Sequence, residues 1–232
     1  MRILEAMFWT EEPGKLLDFY CDRMRFPVVS ASEDELAVQA GATRLRFVKR
    51  ERDSRGVEDN AAAIPYYHFA FNIPENKLDE AKRWIETVTE LGREDGKDIS
   101  RSEAWDSDSV YFMDPAGNIL ELIARHTMDN AIDRPFDPER DIEGMSEIGM
   151  PTKDVVDAVD QLEAIGIRSY QGRSDSFNPV GDEVGMFIVV QPGRRWHFTN
   201  LTAECYPFEA TVEGIGKLGL SEGERGLRIE RE

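Results

Sequence analysis

One of the chain's three histidines, His68, lies in the apolar run Tyr67-His68-Phe69-Ala70-Phe71, and Glu121 lies in Ile119-Leu120-Glu121-Leu122. Both runs have the composition of short strands, on which successive side chains alternate between faces. Glu121 therefore points away from Leu120 and Leu122. An imidazole nitrogen and a carboxylate oxygen brought together from two strands can share one hard or borderline divalent ion, with positions left for substrate oxygens. The plainer readings are a hydrogen-bonded pocket histidine and a solvent-facing glutamate, and contact between the two side chains would separate the alternatives.

These residues stand on the first and last strands of a strand-helix-strand-strand-strand (βαβββ) unit. Its helix follows Pro74 and carries Leu78, Ala81, Trp84, Ile85 and Val88 as one apolar stripe. Its last hairpin turns at Asp114-Pro115-Ala116-Gly117-Asn118, where Pro fixes one φ and Gly permits another. A similar unit comes before it, with a strand at 3–9, a helix at 15–24 and three short strands within 26–50, the last being the alternating Thr43-Arg44-Leu45-Arg46-Phe47-Val48. A third follows, starting at Glu147-Ile148-Gly149-Met150, with a helix carrying Val155, Val156, Val159 and Leu162 and a final hairpin expected to turn at Gln191-Pro192-Gly193. Superposing first strands places Glu5 and Glu147 where the middle copy has His68. Aligning Gly193 with Gly117 places His197 opposite Glu121.

The expected division is residues 1–126 as paired modules (1–50 and 65–126), 127–144 as an exposed linker, 145–200 as the third module and 201–232 as a tail with one or two short strands. Pro65 disfavours helical geometry at Ile64 and marks the boundary between the first two modules. With an odd number of copies, one module stands alone or pairs with its equivalent in a second subunit, which makes a homodimer the oligomer to expect.

Composition narrows the function. At 232 residues and 41% apolar content the chain can bury a substantial core, and a formal charge of -18 opposes nucleic acid and anionic lipid. Arginines number 21 against 7 lysines, beside 46 acidic residues, a balance that would also suit a salt-adapted surface. Cys21 and Cys205 have no metal-ligand spacing and suggest no disulfide framework. No apolar run reaches the roughly 18 residues of a membrane span, so a cytoplasmic location is expected, without membrane or nucleic acid partners. Gly214-Ile215-Gly216-Lys217-Leu218-Gly219 matches GxGxxG, but too little chain follows for a dinucleotide-binding helix and strand.

Leu4 to Thr10 followed by Leu17-Asp18-Phe19-Tyr20, then His68, then Asp114-Pro-Ala-Gly-Asn-Ile-Leu-Glu121, resemble the vicinal oxygen chelate superfamily of glyoxalases, bleomycin resistance proteins and extradiol dioxygenases. The resemblance implies an α+β fold in which repeated βαβββ modules form a curled, cup-like mixed sheet with helices packed outside. It places ligands on the first and last strands of paired modules. Pairing of modules one and two, the expected arrangement, would gather Glu5, Arg46, His68 and Glu121. Arg46 cannot be a ligand, and Glu5 stands where a His is more usual; an ion pair between these two is as good a reading as ligation. Pairing of modules two and three would instead gather His68, Glu121, Glu147 and His197, resembling the two-His, two-Glu set of glyoxalase I.

The expectation is therefore a divalent-metal-dependent enzyme of glyoxalase or dioxygenase type, acting on a small molecule that chelates through vicinal oxygens. The metal (Fe, Mn, Zn, Ni or Co) would be held by His68, Glu121 and Glu5, with Glu147 and His197 as the alternative ligands. Glu121 or Glu5 would move a proton, and Arg46, Phe71 and Tyr111 would contact the substrate. The rival is a non-catalytic protein that sequesters a small molecule in the same cup, as bleomycin resistance proteins do.

Overall fold

The computed structural model describes residues 1–50, 64–220 and 227–231, so the charged and Ala-rich stretch 51–63 ahead of Pro65 lies outside the described residues. The strands form two seven-stranded sheets. The first contains β1 (Ile3–Thr10), β2 (Val28–Ala31), β3 (Glu35–Ala40) and β4 (Thr43–Lys49) together with β12 (Phe208–Val212), β13 (Gly216–Leu220) and β14 (Leu227–Arg231). The second contains β5 (His68–Ile73), β6 (Ser100–Ser102), β7 (Ser107–Met113) and β8 (Ile119–Arg125) with β9 (Gly144–Pro151), β10 (Phe177–Asp182) and β11 (Gly185–Val190). No helix among the described residues is long and apolar enough to cross a membrane.

The modules that share a sheet are thus the second and third, not the first and second. β5 runs parallel to β8 and antiparallel to β9, and β9 runs parallel to β11. The first module instead pairs β1 with β12, so the tail supplies three strands and completes a sheet of its own. The GxGxxG segment is the β12–β13 turn and the body of β13.

Strand alternation fixes which side chains meet. Phe69 and Phe71 point away from the His68 face, and the first sheet covers them: Phe8 stacks on Phe69 with ring centroids 4.9 Å apart, and Phe187 meets Phe208 at 6.4 Å. Burying aromatics from both sheets in one core holds the sheets together. Helix α1 (Gly14–Leu17), continuing as a wider turn over Asp18–Arg23, packs near β3. Helix α2 (Leu78–Val88) packs on β7 and β8, and helix α4 (Val155–Ala164) on β10 and β11. The segment 127–144 contains a short helix, α3 (Pro138–Asp141), capped by Asp137 and tied by the buried Asp141 to Arg134. This connection is anchored by the buried Pro138, Asp141 and Ile142, while Thr127, Asp129, Asp133 and Arg140 are exposed.

The Asp114–Asn118 turn shows why that sequence precedes Glu121. Gly117 takes a φ of +87°, and one oxygen of the Asp114 carboxylate accepts from the amides of Ala116 and Asn118, both at 2.9 Å. The other oxygen accepts from Asn118 Nδ2 at 2.8 Å and from the buried Tyr20 hydroxyl at 2.7 Å. Asn118 Oδ1 in turn accepts from the amide of Tyr67, one residue before His68. This network fixes the starts of β5 and β8 to each other, and hence the height of His68 relative to Glu121.

Candidate metal centre

Three buried side chains converge on the outer face of the second sheet. His68 Nε2 lies 3.6 Å from Glu121 Oε2 and 4.0 Å from Glu147 Oε2, and one ligand atom from each of the three residues falls within 4.8 Å of the others. These separations are too long for hydrogen bonds and leave a gap between three donors. His68 Nδ1 is 3.2 Å from the Ile119 carbonyl oxygen. A carbonyl can only accept, so Nδ1 carries the proton and Nε2 turns its lone pair toward the two carboxylates.

The electrostatics suit a cation. Burial lowers the His68 pKa to about 4, with the charge of His197 acting in the same direction and the Ile119 hydrogen bond against it, so the ring is neutral and able to ligate. Burial also raises the pKa of Glu121, and the nearby Glu147 adds to the shift, while Ser109, Arg125 and Tyr111 oppose it. Glu147 is raised by burial against the pull of Arg125. Arg125 is fully buried; its Nη2 donates to Glu147 Oε1 at 2.5 Å and to Ser146 Oγ at 3.2 Å, and its guanidinium lies 5.4 Å from the Trp105 ring centroid. One arginine thus faces two buried carboxylates. A divalent ion among the three donors would more than offset the remaining single negative charge, and the donor set suits such an ion.

A pocket of about 280 Å³ opens over this floor. Four aromatic side chains stand among its lining residues: Trp196 packs 4.7 Å from the His68 ring, Tyr111 lies 6.2 Å from it, and Trp105 and Phe177 also line the pocket. Gly149 makes the Trp196 contact possible, because a Cβ at that position would lie 2.9 Å from the indole.

Comparison with known proteins points the same way as the topology. No curated protein sequence matches the chain. A family model described as toxoflavin-degrading enzyme matches residues 145–195. Among solved structures, a Bacillus subtilis protein named for a proposed dioxygenase activity shares 18% identity and a TM-score of 0.56, over 82% of this chain and 63% of its own. A glutamate-to-glutamine variant of glyoxalase I from Zea mays shares 13% identity and a TM-score of 0.50, over 81% of this chain and 66% of its own. The chain has the vicinal oxygen chelate fold. A lactoylglutathione lyase from Agrobacterium tumefaciens also matches, at 22% identity and a TM-score of 0.42, over 52% of this chain and 91% of its own. This chain spans about two thirds of the length of the Bacillus and maize proteins.

Within this cup the second and third modules meet through the antiparallel β5–β9 pair. His68 is in register with Ile119 as Glu147 is with Met186, so the position equivalent to Glu121, two residues along, is Ile188. The fourth corner is therefore apolar. His197 was expected there because Gln191-Pro192-Gly193 has the stronger turn chemistry, but the hairpin turns at Asp182–Gly185 and β11 ends at Val190. The following residues leave the sheet as a loop. There His197 is exposed at the pocket mouth, with Nδ1 3.7 Å from Glu94 Oε2.

The other expected residues divide. Glu147 and Tyr111 join His68 and Glu121 at the pocket. Glu5 and Arg46 do not: they lie on β1 and β4 in the other sheet, where Arg46 Nη1 donates to Glu5 at 3.1 Å and Arg46 also pairs with Glu35 at 2.9 Å. Both sheets separate this ion pair from His68, which removes Glu5 from the ligand set and Arg46 from the pocket. Phe71 is three residues from His68 on a strand, hence on the opposite face, and it packs 5.6 Å from Phe26 in the core. Arg125, absent from the expected set, has a signal in the sequence: it follows Glu121 by four residues on one strand and so shares its face.

Proposed function

We propose that this protein is a divalent-metal-dependent enzyme of the glyoxalase or dioxygenase type, acting on a small planar compound that chelates the ion through two neighbouring oxygens. The observation that carries this reading is the His68, Glu121 and Glu147 cluster at the floor of an aromatic pocket. One His and two carboxylates, with Ile188 at the fourth corner, would hold a divalent ion and leave the rest of its coordination to a substrate in the pocket. Such an ion supplies Lewis acidity to the substrate oxygens when bound. The matched family model, that of toxoflavin-degrading enzymes, supports degradation of a small molecule as the type of activity, and the stretch it covers includes Glu147, Phe177 and Ile188.

The chain's own groups divide the remaining work. Arg125 holds the Glu147 carboxylate in place through Oε1 and leaves Oε2 facing His68. The Ile119 carbonyl orients the imidazole. Trp196 and Tyr111 form flat walls against which a ring can stack, excluding water from the floor. The Glu121 carboxylate, beside the hydroxyls of Ser109 and Tyr111, is the base that takes a proton from the bound substrate.

Metal analysis tests this directly. The purified full chain should contain a divalent metal or gain thermal stability with at least one of Mn, Fe, Co, Ni and Zn, and His68→Ala should remove that gain. A wild-type protein that neither contains nor responds to any of these ions would refute the metalloenzyme reading.

A further inference from the structure

We propose, resting on the metal-centre reading above, that the substrate carries an anionic group remote from its chelating oxygens, and that Arg194 at the pocket mouth binds this group. The protein as a whole is strongly acidic, with a formal charge of -18, yet the mouth of this one pocket is lined by Arg101, Arg194 and Arg195 together with His197. Two of the three arginines are already engaged. Arg195 pairs with Glu94 and donates to the Thr199 carbonyl at 3.0 Å, and Arg101 faces Asp108 at 3.8 Å. Arg194 has no carboxylate partner among the described residues; its guanidinium lies over the Phe177 ring, 4.6 Å from the centroid.

Arg194 is also held in place before any ligand arrives. Its carbonyl accepts from the Ala203 amide at 2.7 Å, Gly193 donates to the Ala203 carbonyl at 2.8 Å, and Trp196 donates to the Leu201 carbonyl at 2.9 Å. The loop that replaces the expected last strand therefore presents Trp196 to His68 and Arg194 to the mouth from one braced segment. A guanidinium resting on an aromatic ring keeps its planar fork free for a carboxylate, sulfonate or similar anion.

The charge layout favours the same ligand. A divalent ion bound by two carboxylates beside Arg125 leaves the floor with a net positive charge, and Arg194 adds another at the rim. In an otherwise acidic surface, such a positive pocket concentrates anions. A planar molecule could then chelate at the floor, stack on Trp196 and meet Arg194 with its far end.

The test compares catechol with 3,4-dihydroxybenzenesulfonate by calorimetric titration into the Mn(II)-loaded full chain, because a sulfonate competes poorly for the metal. The wild type should prefer the sulfonate by about tenfold, the scale of one charge-assisted hydrogen-bonded pair. Arg194→Ala should reduce that preference to near unity without changing affinity for Mn(II) or catechol. A wild type without the preference, or a preference that survives in Arg194→Ala, overturns the proposal. If Mn(II) or catechol fails to bind, the metal-centre reading fails instead. The anion site is then read from quenching of tryptophan fluorescence by naphthalene-2-sulfonate against naphthalene-2-sulfonamide, where the same loss of preference in Arg194→Ala is required.

Discussion

Arg125 Nη2 lies 2.5 Å from one oxygen of Glu147, while the other oxygen of that carboxylate faces His68 Nε2 at 4.0 Å. Glu147 is thus shared between a permanent cation and the place where a metal cation would sit. Removing one partner of a buried ion pair leaves an uncompensated charge, which costs on the order of 3–5 kcal/mol. Arg125→Met should lose about that much stability in urea unfolding with EDTA present. Saturating Mn(II) should restore more stability to this variant than it adds to the wild type, because the ion would neutralise the carboxylate that the arginine no longer pairs. Equal metal-induced gains in the two proteins would argue against a shared Glu147.

The two carboxylates make metal-free stability depend on pH with a definite sign. Glu121 and Glu147 have folded pKa values raised above the ordinary carboxylate range, by burial first. A raised carboxyl contributes stability that is complete below the unfolded pKa and is lost as pH rises through the folded value. His68 acts on the other side: its pKa, lowered from 6.5 to about 4, gives stability that is lost as pH falls across that interval. In EDTA the melting temperature should therefore decline toward high pH, and Glu121→Gln should flatten that decline. The gain on adding Mn(II) should grow with pH, since protons and metal compete for the same oxygens. A gain that shrinks with pH would contradict the assignment of these carboxylates as ligands.

His68 and Glu121 are legible in the sequence because each sits on a short apolar strand whose start is marked by Pro65 or by the Asp114–Asn118 turn, whereas Glu147 stands there only as the alternative to Glu5. The pairing of modules was not legible. It depends on which sheet edges and aromatic faces fit, as Phe8 fits Phe69, and no local pattern records that fit. Glu5 and Arg46 show the limit of matching positions between repeats. The first module keeps the strand order but fills the ligand positions with an ion pair. His197 shows the limit of turn chemistry, since Pro192 and Gly193 outweighed the weaker turn at Asp182–Gly185, where the register reverses.

Gly149 gives a test of how closely the aromatic wall must approach the metal ligand. A Cβ there would lie 2.9 Å from the Trp196 indole and 3.3 Å from the His68 Cβ. Both neighbours are buried, so neither can yield without disturbing its packing. Gly149→Ala should cost about 1–3 kcal/mol of stability, as overpacking does, and should shift Trp196 away from His68. Adding metal should then change tryptophan fluorescence less than in the wild type. An alanine variant with unaltered stability and fluorescence response would show that Trp196 is free to move and does not form a fixed wall.

Asp114 tests whether the turn before Glu121 positions the metal centre from a distance. Its carboxylate accepts from two backbone amides, Asn118 Nδ2 and the buried Tyr20 hydroxyl, and it touches none of His68, Glu121 or Glu147. Asp114→Ala leaves several buried donors without acceptors, each costing about 1–3 kcal/mol, so marked destabilisation is expected. Tyr20→Phe removes the hydroxyl donor alone, should cost about 1 kcal/mol and leaves the turn's own hydrogen bonds in place. Metal affinity should fall in Asp114→Ala under conditions where the variant is still folded, because β5 and β8 lose the Asn118 link that sets His68 against Glu121, and it should be retained in Tyr20→Phe. Calorimetric Mn(II) titration of both variants distinguishes this from a purely structural role, in which a folded Asp114→Ala would bind metal as tightly as the wild type.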